Sequence, residues 1–283
     1  MKVKLSGKTG FIKQGHAFMP VSNYGYSYYT ANSTGELIHH VSLNKGRLNQ
    51  DYTTQSYIIG KAPEGMNQED QYVSWDQIHF ERQGEHTINS YNYYQFLSAQ
   101  TQTVYTAEEL DDYILAELER KEASGDGIYR DATKKSKLLG IGSLLKKIED
   151  EKNINALLLL AHAQHNSDYG MSGAAQENNN LFGLADNPEA AEKGQFLEYQ
   201  SIEENIYVLA DEWNDNYITP KAKNGHGAFL GTKAAGINVK YNSDPYWGAK
   251  VAGHAYLIDK ALGGSDYDRY KIDITMVDDS LGE

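Results

Sequence analysis

The stretch at residues 155–170 reads NALLLLAHAQHNSDYG, and its first half is apolar on every side of a helix. A helix that has no polar face must be enclosed by other parts of the protein. We therefore predict a central buried helix that ends near a Tyr-Gly turn. With 40% apolar residues in a chain of 283, there is enough material for the core that such a helix requires.

The sequence changes character between residues 95 and 105. Before this point, short alternating runs are separated by turn residues, as in SYYTANSTGELIHHVSL at 27–43, which predicts β-hairpins. After it, the apolar residues follow helical spacing, starting with a capping box at Thr106 and Glu109. Further helices are predicted near 138–150, from a second capping box at Ser201 and Glu204, and from Pro245 to Leu262. The chain is predicted to be α+β, with a small all-β part before a mainly helical domain.

Composition excludes several classes of function. A net charge of −13 argues against nucleic acid as a partner, because Lys and Arg supply most of that affinity. The absence of cysteine excludes disulfides, thiolate nucleophiles and cysteine zinc sites. No run approaches the roughly 20 apolar residues of a membrane span, and no apolar signal-peptide core follows Met1. We expect either a chain shortened at its start or export by another route.

Three polar motifs surround the predicted buried helix. Residues 166–172 read NSDYGMS, residues 179–183 read NNLFG, and residues 238–247 read NVKYNSDPYW. In this order they resemble glycoside hydrolase family 73, the β-N-acetylglucosaminidases that cleave bacterial peptidoglycan. In that family the helix ends in Glu-Ser-x-(Tyr or Trp)-Gly-x-Ser and is followed by Asn-Asn-Leu-Phe-Gly. The upstream runs look like the small β modules that precede the catalytic domain in pneumococcal-type enzymes.

The resemblance implies a domain order and a location. Residues 1–22 are expected to be the tail of a Src-homology-3-like β module, 23–98 a small WW-like β module, and 99–283 a lysozyme-like glucosaminidase domain. The implied partner is the peptidoglycan glycan strand, and the implied location is the cell wall after secretion, or a phage lysin. We expect a monomer with no cofactor, no metal and no membrane span.

The family's catalytic glutamate corresponds to Asn166 in this chain. Glycoside hydrolysis needs a carboxylic acid that protonates the leaving oxygen, and an amide has no such proton. General acid catalysis contributes roughly 10²-fold to 10⁴-fold in rate. On a continuing helix Asp168 would lie about 200° away and point elsewhere, so it is a poor replacement unless the helix has already ended. Asp186 and Glu189, with Glu192 as a further possibility, are candidates for the second acidic role, and solvated surface charges are the equal alternative.

The resemblance also suggests residues that line the glycan cleft. Tyr241 corresponds to a cleft tyrosine whose hydroxyl would orient a water or an acetamido group. Asn179 and Asn180 would either bond sugar hydroxyls or close their own loop. Asp244 is expected to cap the last helix, and His162 is expected near Asn166. The remaining substrate-binding candidates are His165, Tyr169, Phe182, Tyr246 and Trp247.

Two functions of different classes fit this pattern. The first is a peptidoglycan hydrolase that cleaves the β-1,4 bond after N-acetylglucosamine. The second is a cell-wall glycan-binding protein that keeps the cleft but lacks the acid at Asn166, either by natural loss or by deliberate replacement. Loss of turnover with retained binding would distinguish the second from the first.

Overall fold

A computed structural model describes residues 2–5, 8–11, 26–42, 54–68, 70–82, 86–219 and 221–272. Most of the segment 1–22, expected to be the tail of a Src-homology-3-like module, lies outside these ranges. Its described parts are strands β1 (Lys2–Leu5) and β2 (Lys8–Phe11), which pair as an antiparallel hairpin.

A three-stranded antiparallel sheet follows, in the order β3 (Tyr28–Ala31), β4 (Glu36–Ser42) and β5 (Thr54–Lys61). The predicted hairpin loop between Tyr29 and Leu37 is confirmed. Its Asn32 side chain accepts hydrogen bonds from the backbone amides of Thr34 and Glu36 and so fixes the turn. Strands β6 (His79–Arg82) and β7 (His86–Asn89) form a second small sheet.

The rest of the described chain is mainly helical, which confirms the predicted α+β class. The longer helices are α2 (Ala107–Ala123), α4 (Gly142–Lys152), α5 (Ala156–Asn166), α8 (Ile202–Trp213) and α9 (Trp247–Ala261). Shorter helices are α1 (Tyr93–Phe96), α3 (Ala132–Lys135), α6 (Gly173–Asn178) and α7 (Pro188–Glu192). None of the described helices is long and apolar enough to cross a bilayer.

The helix ends agree with the predicted caps in part. Both reciprocal bonds of the capping box at Thr106 and Glu109 are present. At the start of α8, the Ser201 hydroxyl accepts from the Glu204 amide as predicted. The reciprocal bond differs, because the Glu204 carboxylate accepts from the Gln200 amide and not from the Ser201 amide. The last helix begins at Trp247, not at Pro245, because Asp244 and Tyr246 form a capped turn ahead of it.

Helix α5 is the central buried helix that the sequence predicts. Every residue from Ala156 to Gln164 is buried. Its first turn is capped by the Asn155 side chain, which accepts from the Leu158 amide, and by the buried Glu149 carboxylate, which accepts from the Ala156 amide. These bonds satisfy donors that a buried helix start cannot leave to water.

Helix α9 packs against α5 and also against β5 of the sheet. On the sheet side Ala249 joins a small apolar cluster with Tyr29, Leu37, Ile59, Tyr72 and Phe80. Lys260 pairs with Glu36 at 2.7 Å, and the Lys250 ammonium lies 4.2 Å from the centroid of the Tyr57 ring. The expected domain boundary at 98–99 stays a prediction, and β5 and α9 meet across it.

The two parts lie very close together at Gly253. A Cβ atom placed there would overlap the Ile58 carbonyl oxygen of β5. Only a residue without a side chain therefore allows α9 to lie this near to the strand.

We predict that Gly253→Ala lowers the free energy of unfolding by about 1–3 kcal/mol, because the added methyl group meets backbone rather than a flexible side chain. Alanine has a higher helix propensity than glycine, which acts in the opposite direction. A variant more stable than the wild type would contradict this prediction. The matched control is Gly173→Ala at the start of α6, where a Cβ has nothing within 4 Å. Thermal unfolding of both variants measures the difference.

Candidate functional site

The site begins where α5 ends, at Asn166. The Ser167 hydroxyl donates to the Ala163 carbonyl and accepts from the Gly170 amide, which closes the helix. Asp168, Tyr169 and Gly170 then follow with positive φ angles. At Gly170 a Cβ would crowd the backbone of Lys137, so the Tyr-Gly turn of the motif requires glycine here.

The Asn166 side chain joins the three sequence motifs. Its Nδ2 donates to the Phe182 carbonyl at 2.7 Å, and its Oδ1 accepts from the Trp247 indole Nε1 at 3.3 Å. Asn166 itself is half-buried. A neutral amide satisfies one acceptor and one donor at once, whereas a carboxylate has no hydrogen to give to the carbonyl.

Aromatic rings form the inner wall beside Asn166. The fully buried His162 stacks on Trp213 at 5.4 Å and contacts Phe182 and Trp247 at 4.8 and 5.1 Å between centroids. The Tyr241 hydroxyl lies 3.4 Å from His162 Nε2. Burial lowers the pKa of His162 well below its usual value and raises the pKa of Tyr241 well above its own. Both groups are therefore neutral, and the Tyr241 hydroxyl is directed at His162.

A second group of side chains near the end of α5 includes His254, which the sequence reasoning missed. The His254 ring is 5.5 Å from the rings of His165 and Tyr169, and the Tyr169 hydroxyl is 3.4 Å from its Nδ1. Burial lowers the pKa of His165 to about 4 and that of His254 to about 3. His254 is seven residues after Trp247, so helical spacing could have predicted that both side chains lie on the same face of α9.

The acidic candidates lie in exposed positions. Asp186 is exposed in the loop after Phe182, and Glu189 is exposed on α7, where it pairs with Lys193 at 2.7 Å. Glu192 is exposed at the end of α7. The helical-wheel argument for Asp168 applied only to a helix that continues, and α5 ends at Asn166, so Asp168 is an exposed residue with φ of 48° beyond the helix.

The two asparagines of the NNLFG motif bond mainly to the backbone. The fully buried Asn180 side chain accepts from the Phe182 and Leu184 amides and donates to the Leu184 and Leu197 carbonyls. Asn179 donates to the Tyr199 carbonyl and accepts from Lys137. Of the two roles that the sequence left open, loop closure accounts for these contacts.

Tyr246 and Trp247 stand at the junction of α9 with the sheet. Asp244 was expected to cap α9, but Tyr246 is the N-cap residue and no side chain caps this helix; Asp244 instead accepts from the Tyr246 amide at 2.9 Å in the turn before it and pairs with Lys250 at 2.7 Å. The Tyr246 ring meets the ring of His39 edge-on at 4.4 Å. Within the described ranges, no group of three His, Cys, Asp or Glu residues is arranged to hold a metal ion.

His39 is the unusual residue of this junction. It is 1% exposed, it stacks on Tyr29 at 4.2 Å, and neither ring nitrogen has a hydrogen-bond partner. Burial, and then the charge of Lys250, lower its pKa to about 3. Its neighbour His40 differs, since its two nitrogens bond to Thr30 and Ser56 at 2.9 and 2.8 Å.

Residues 142–260 match the family model described as mannosyl-glycoprotein endo-β-N-acetylglucosaminidase, which confirms the predicted resemblance to glucosaminidases over this part of the chain. The chain is 28% identical over 271 residues to two proteins from strains of Streptococcus pneumoniae, each named "Putative endo-beta-N-acetylglucosaminidase". The alignments cover 94% of this chain but 35% and 33% of those proteins. The chain thus spans about a third of the length of these relatives.

Two of the solved structures that resemble the chain are of autolysin E from S. aureus. One is a catalytic mutant in complex with the disaccharide NAG-NAM, at 14% identity and a TM-score of 0.43, covering 64% of this chain and 83% of that one. The other is a complex with the muropeptide NAM-L-ALA-D-iGLU, with the same identity and TM-score and coverages of 68% and 87%.

We predict that His39→Phe raises the free energy of unfolding by about 1 kcal/mol at pH 7, because two buried nitrogens without partners are removed and the ring stack remains. The gain should grow as pH falls below about 6.5. In that range unfolded His39 takes up a proton that the folded residue, with its pKa near 3, does not.

The matched control is His40→Phe, which removes two formed hydrogen bonds and should destabilise the protein at pH 7. Chemical denaturation of the three proteins at pH 7 and pH 5 measures both effects. A His39→Phe protein that loses stability with falling pH as steeply as the wild type would contradict the prediction.

Proposed function

We propose that this chain, whose residues 142–260 match the glucosaminidase family model, binds bacterial cell-wall glycan at the cleft around Asn166 without supplying the acid that hydrolysis needs. The observation that carries the proposal is the Asn166 amide, which is bonded to Phe182 and Trp247. Residues of the three sequence motifs contact each other through this side chain, which supports a retained scaffold with an amide in place of the acid.

The chemistry shows why this replacement matters. In glycoside hydrolysis the bond between the anomeric carbon and the leaving oxygen breaks, the oxygen takes a proton, and water adds to the carbon. Asn166 has no dissociable proton to give at any accessible pH. The loss of general acid catalysis corresponds to roughly 10²-fold to 10⁴-fold in rate.

Half-buried residues are the best placed to contact a sugar. His165, Tyr169 and Tyr246 each keep part of their surface accessible, whereas Phe182 and Trp247 are almost fully buried. Neutral imidazole and phenol groups can each donate and accept one hydrogen bond, and their rings offer apolar faces to a pyranose ring. We propose these three residues as the glycan contacts and Phe182 and Trp247 as their support.

A second candidate function is hydrolysis of the β-1,4 bond after N-acetylglucosamine, the reaction expected of the glucosaminidases that this chain resembles. The printed names of the pneumococcal relatives favour it. It requires a proton donor other than Asn166, and Asp186 and Glu189 are proposed for the second acidic role only. For either function we propose the cell wall as the location, and residues 1–22, 23–98 and 99–283 as the three parts of the chain.

We predict that the wild-type protein binds purified sacculi without releasing soluble muropeptides, and that Asn166→Glu gains at least 10²-fold in release, because it restores a proton donor at the helix end. The matched control is Asn166→Gln, which has the length of glutamate but no acidic proton and should stay inactive. Mass spectrometry of the released fragments, together with a pull-down on sacculi, measures turnover and binding separately.

The outcomes separate the two functions. Release by the wild type at the rate of Asn166→Glu would show that another residue supplies the acid and would favour the hydrolase. Failure of all three folded proteins to bind sacculi would refute the proposed function itself.

A further inference from the structure

Lys121, near the end of α2, is a half-buried cation without a carboxylate partner. Its ammonium forms no ion pair and no hydrogen bond with any residue in the described part of the chain. Other half-buried lysines pair with carboxylates: Lys146 with Glu149, Lys152 with Asp211, and Lys250 with Asp244. Burying a charged group without such a partner is unfavourable, so the position of Lys121 requires an explanation.

The expected partner of Lys121 is bound to another residue. Glu117 lies one helical turn earlier, at the spacing where a glutamate pairs with a lysine. Both of its carboxylate oxygens accept instead from the Arg120 guanidinium, at 2.8 and 2.6 Å. Asp126 and Asp168 are exposed neighbours that form no ion pair with Lys121 in the described ranges. Burial lowers the pKa of Lys121 in spite of these carboxylates, so they do not fully compensate the buried charge.

Two tyrosine rings hold the Lys121 ammonium in position. Its Nζ lies 4.1 Å from the centroid of the Tyr169 ring and 5.0 Å from that of the Tyr129 ring. The two rings contact each other edge-on at 6.0 Å. Aromatic faces attract a cation without accepting its hydrogens as an oxygen does. The ammonium is therefore fixed in place while its N–H donors remain available to a ligand.

A row of half-buried side chains joins Lys121 to Asn166. Next to Lys121 is Tyr169, whose hydroxyl lies 3.4 Å from His254 Nδ1. The His254 ring lies 5.5 Å from the ring of His165, which directly precedes Asn166 in the chain. Every member of this row keeps part of its surface accessible. A ligand bound at Asn166 that extends along the row therefore reaches the ammonium.

An ammonium with free donors is suited to a carboxylate, because hydrogen bonds between two charged groups are short and strong. We propose that Lys121, held by Tyr129 and Tyr169, binds a carboxylate of the cell-wall ligand. This inference rests on the proposed binding of cell-wall glycan at Asn166. The carboxylate belongs either to the lactyl group of a muramic acid without a peptide or to the attached peptide. It supplies the negative partner that Glu117 does not.

The test compares binding to sacculi with binding to the same sacculi after their carboxylates are converted to neutral amides with a carbodiimide and methylamine. We predict that the wild type binds the untreated material roughly fivefold more tightly. Lys121→Gln should lose this preference, and Lys121→Arg, which keeps the charge, should retain it. The matched control is Lys134→Gln, which removes an exposed lysine of α3 and should also retain it.

The overall charge of the protein acts in the opposite direction. With a net charge of −13, the chain as a whole should be repelled less by sacculi that have lost their carboxylates. A preference for the untreated material therefore requires a local cation.

Soluble sugars distinguish the two sources of the carboxylate. N-acetylmuramic acid carries it on the lactyl group, N-acetylmuramoyl-L-alanine carries it on the amino acid, and N-acetylglucosamine has none. Calorimetric titration of the wild type and Lys121→Gln with each sugar measures the dependence on Lys121. Tighter binding of the first sugar than of the second assigns the site to the lactyl group, and the reverse order assigns it to the peptide.

Equal binding of the wild type to both preparations of sacculi would overturn the inference and leave the proposed function standing. Retention of the preference by Lys121→Gln, or its loss in Lys134→Gln, would also overturn it. If no protein binds sacculi, the proposed function fails and the soluble sugars test the site by themselves. The site is then refuted if neither muramic acid derivative binds the wild type more tightly than N-acetylglucosamine does, or if Lys121→Gln shows the same difference.

Discussion

The packing of α9 against two neighbours determines the rest of the site. One face of this helix meets α5 and another meets β5, where Gly253 leaves no room for a side chain against the Ile58 carbonyl. Trp247, at the start of α9, reaches Asn166, and His254, two turns later, reaches His165. The position of the sheet and the shape of the cleft are thus set by the same helix.

Burial in the low-dielectric interior keeps most of the titratable side chains of this site uncharged. His162, His165 and His254 have pKa values lowered by burial, and the phenols around them have raised ones. The net charge of −13 therefore says little about the cleft, since most of its side chains are neutral at pH 7. Charged side chains beside these groups include the ion pair of Lys250 with Asp244, and Lys121, whose ammonium lies 4.1 Å from the centroid of the Tyr169 ring.

The sequence predicted the features that depend on local pattern. The apolar run located α5, the capping box at Thr106 located the start of α2, and the three motifs indicated that residues 166, 182 and 247 belong together. Features that depend on tertiary packing were missed. His39 and His254 read as ordinary polar residues until α9 is placed between the sheet and α5. The direction of Asp168 could be predicted only for a helix that continues past Asn166, and α5 ends at Asn166.

The surroundings of Asn166 bear on what an acid would do there. The Phe182 carbonyl lies 2.7 Å from Asn166 Nδ2, so a side chain at this position faces a hydrogen-bond acceptor. A carboxylate facing that oxygen is disfavoured, while a protonated carboxyl group can donate to it, and partial burial acts in the same direction. The pocket would thus hold a glutamate in its protonated form, as a general acid requires. Asn166 satisfies the same carbonyl without a proton that can be transferred, so the amide preserves the geometry of the site and removes its acidity.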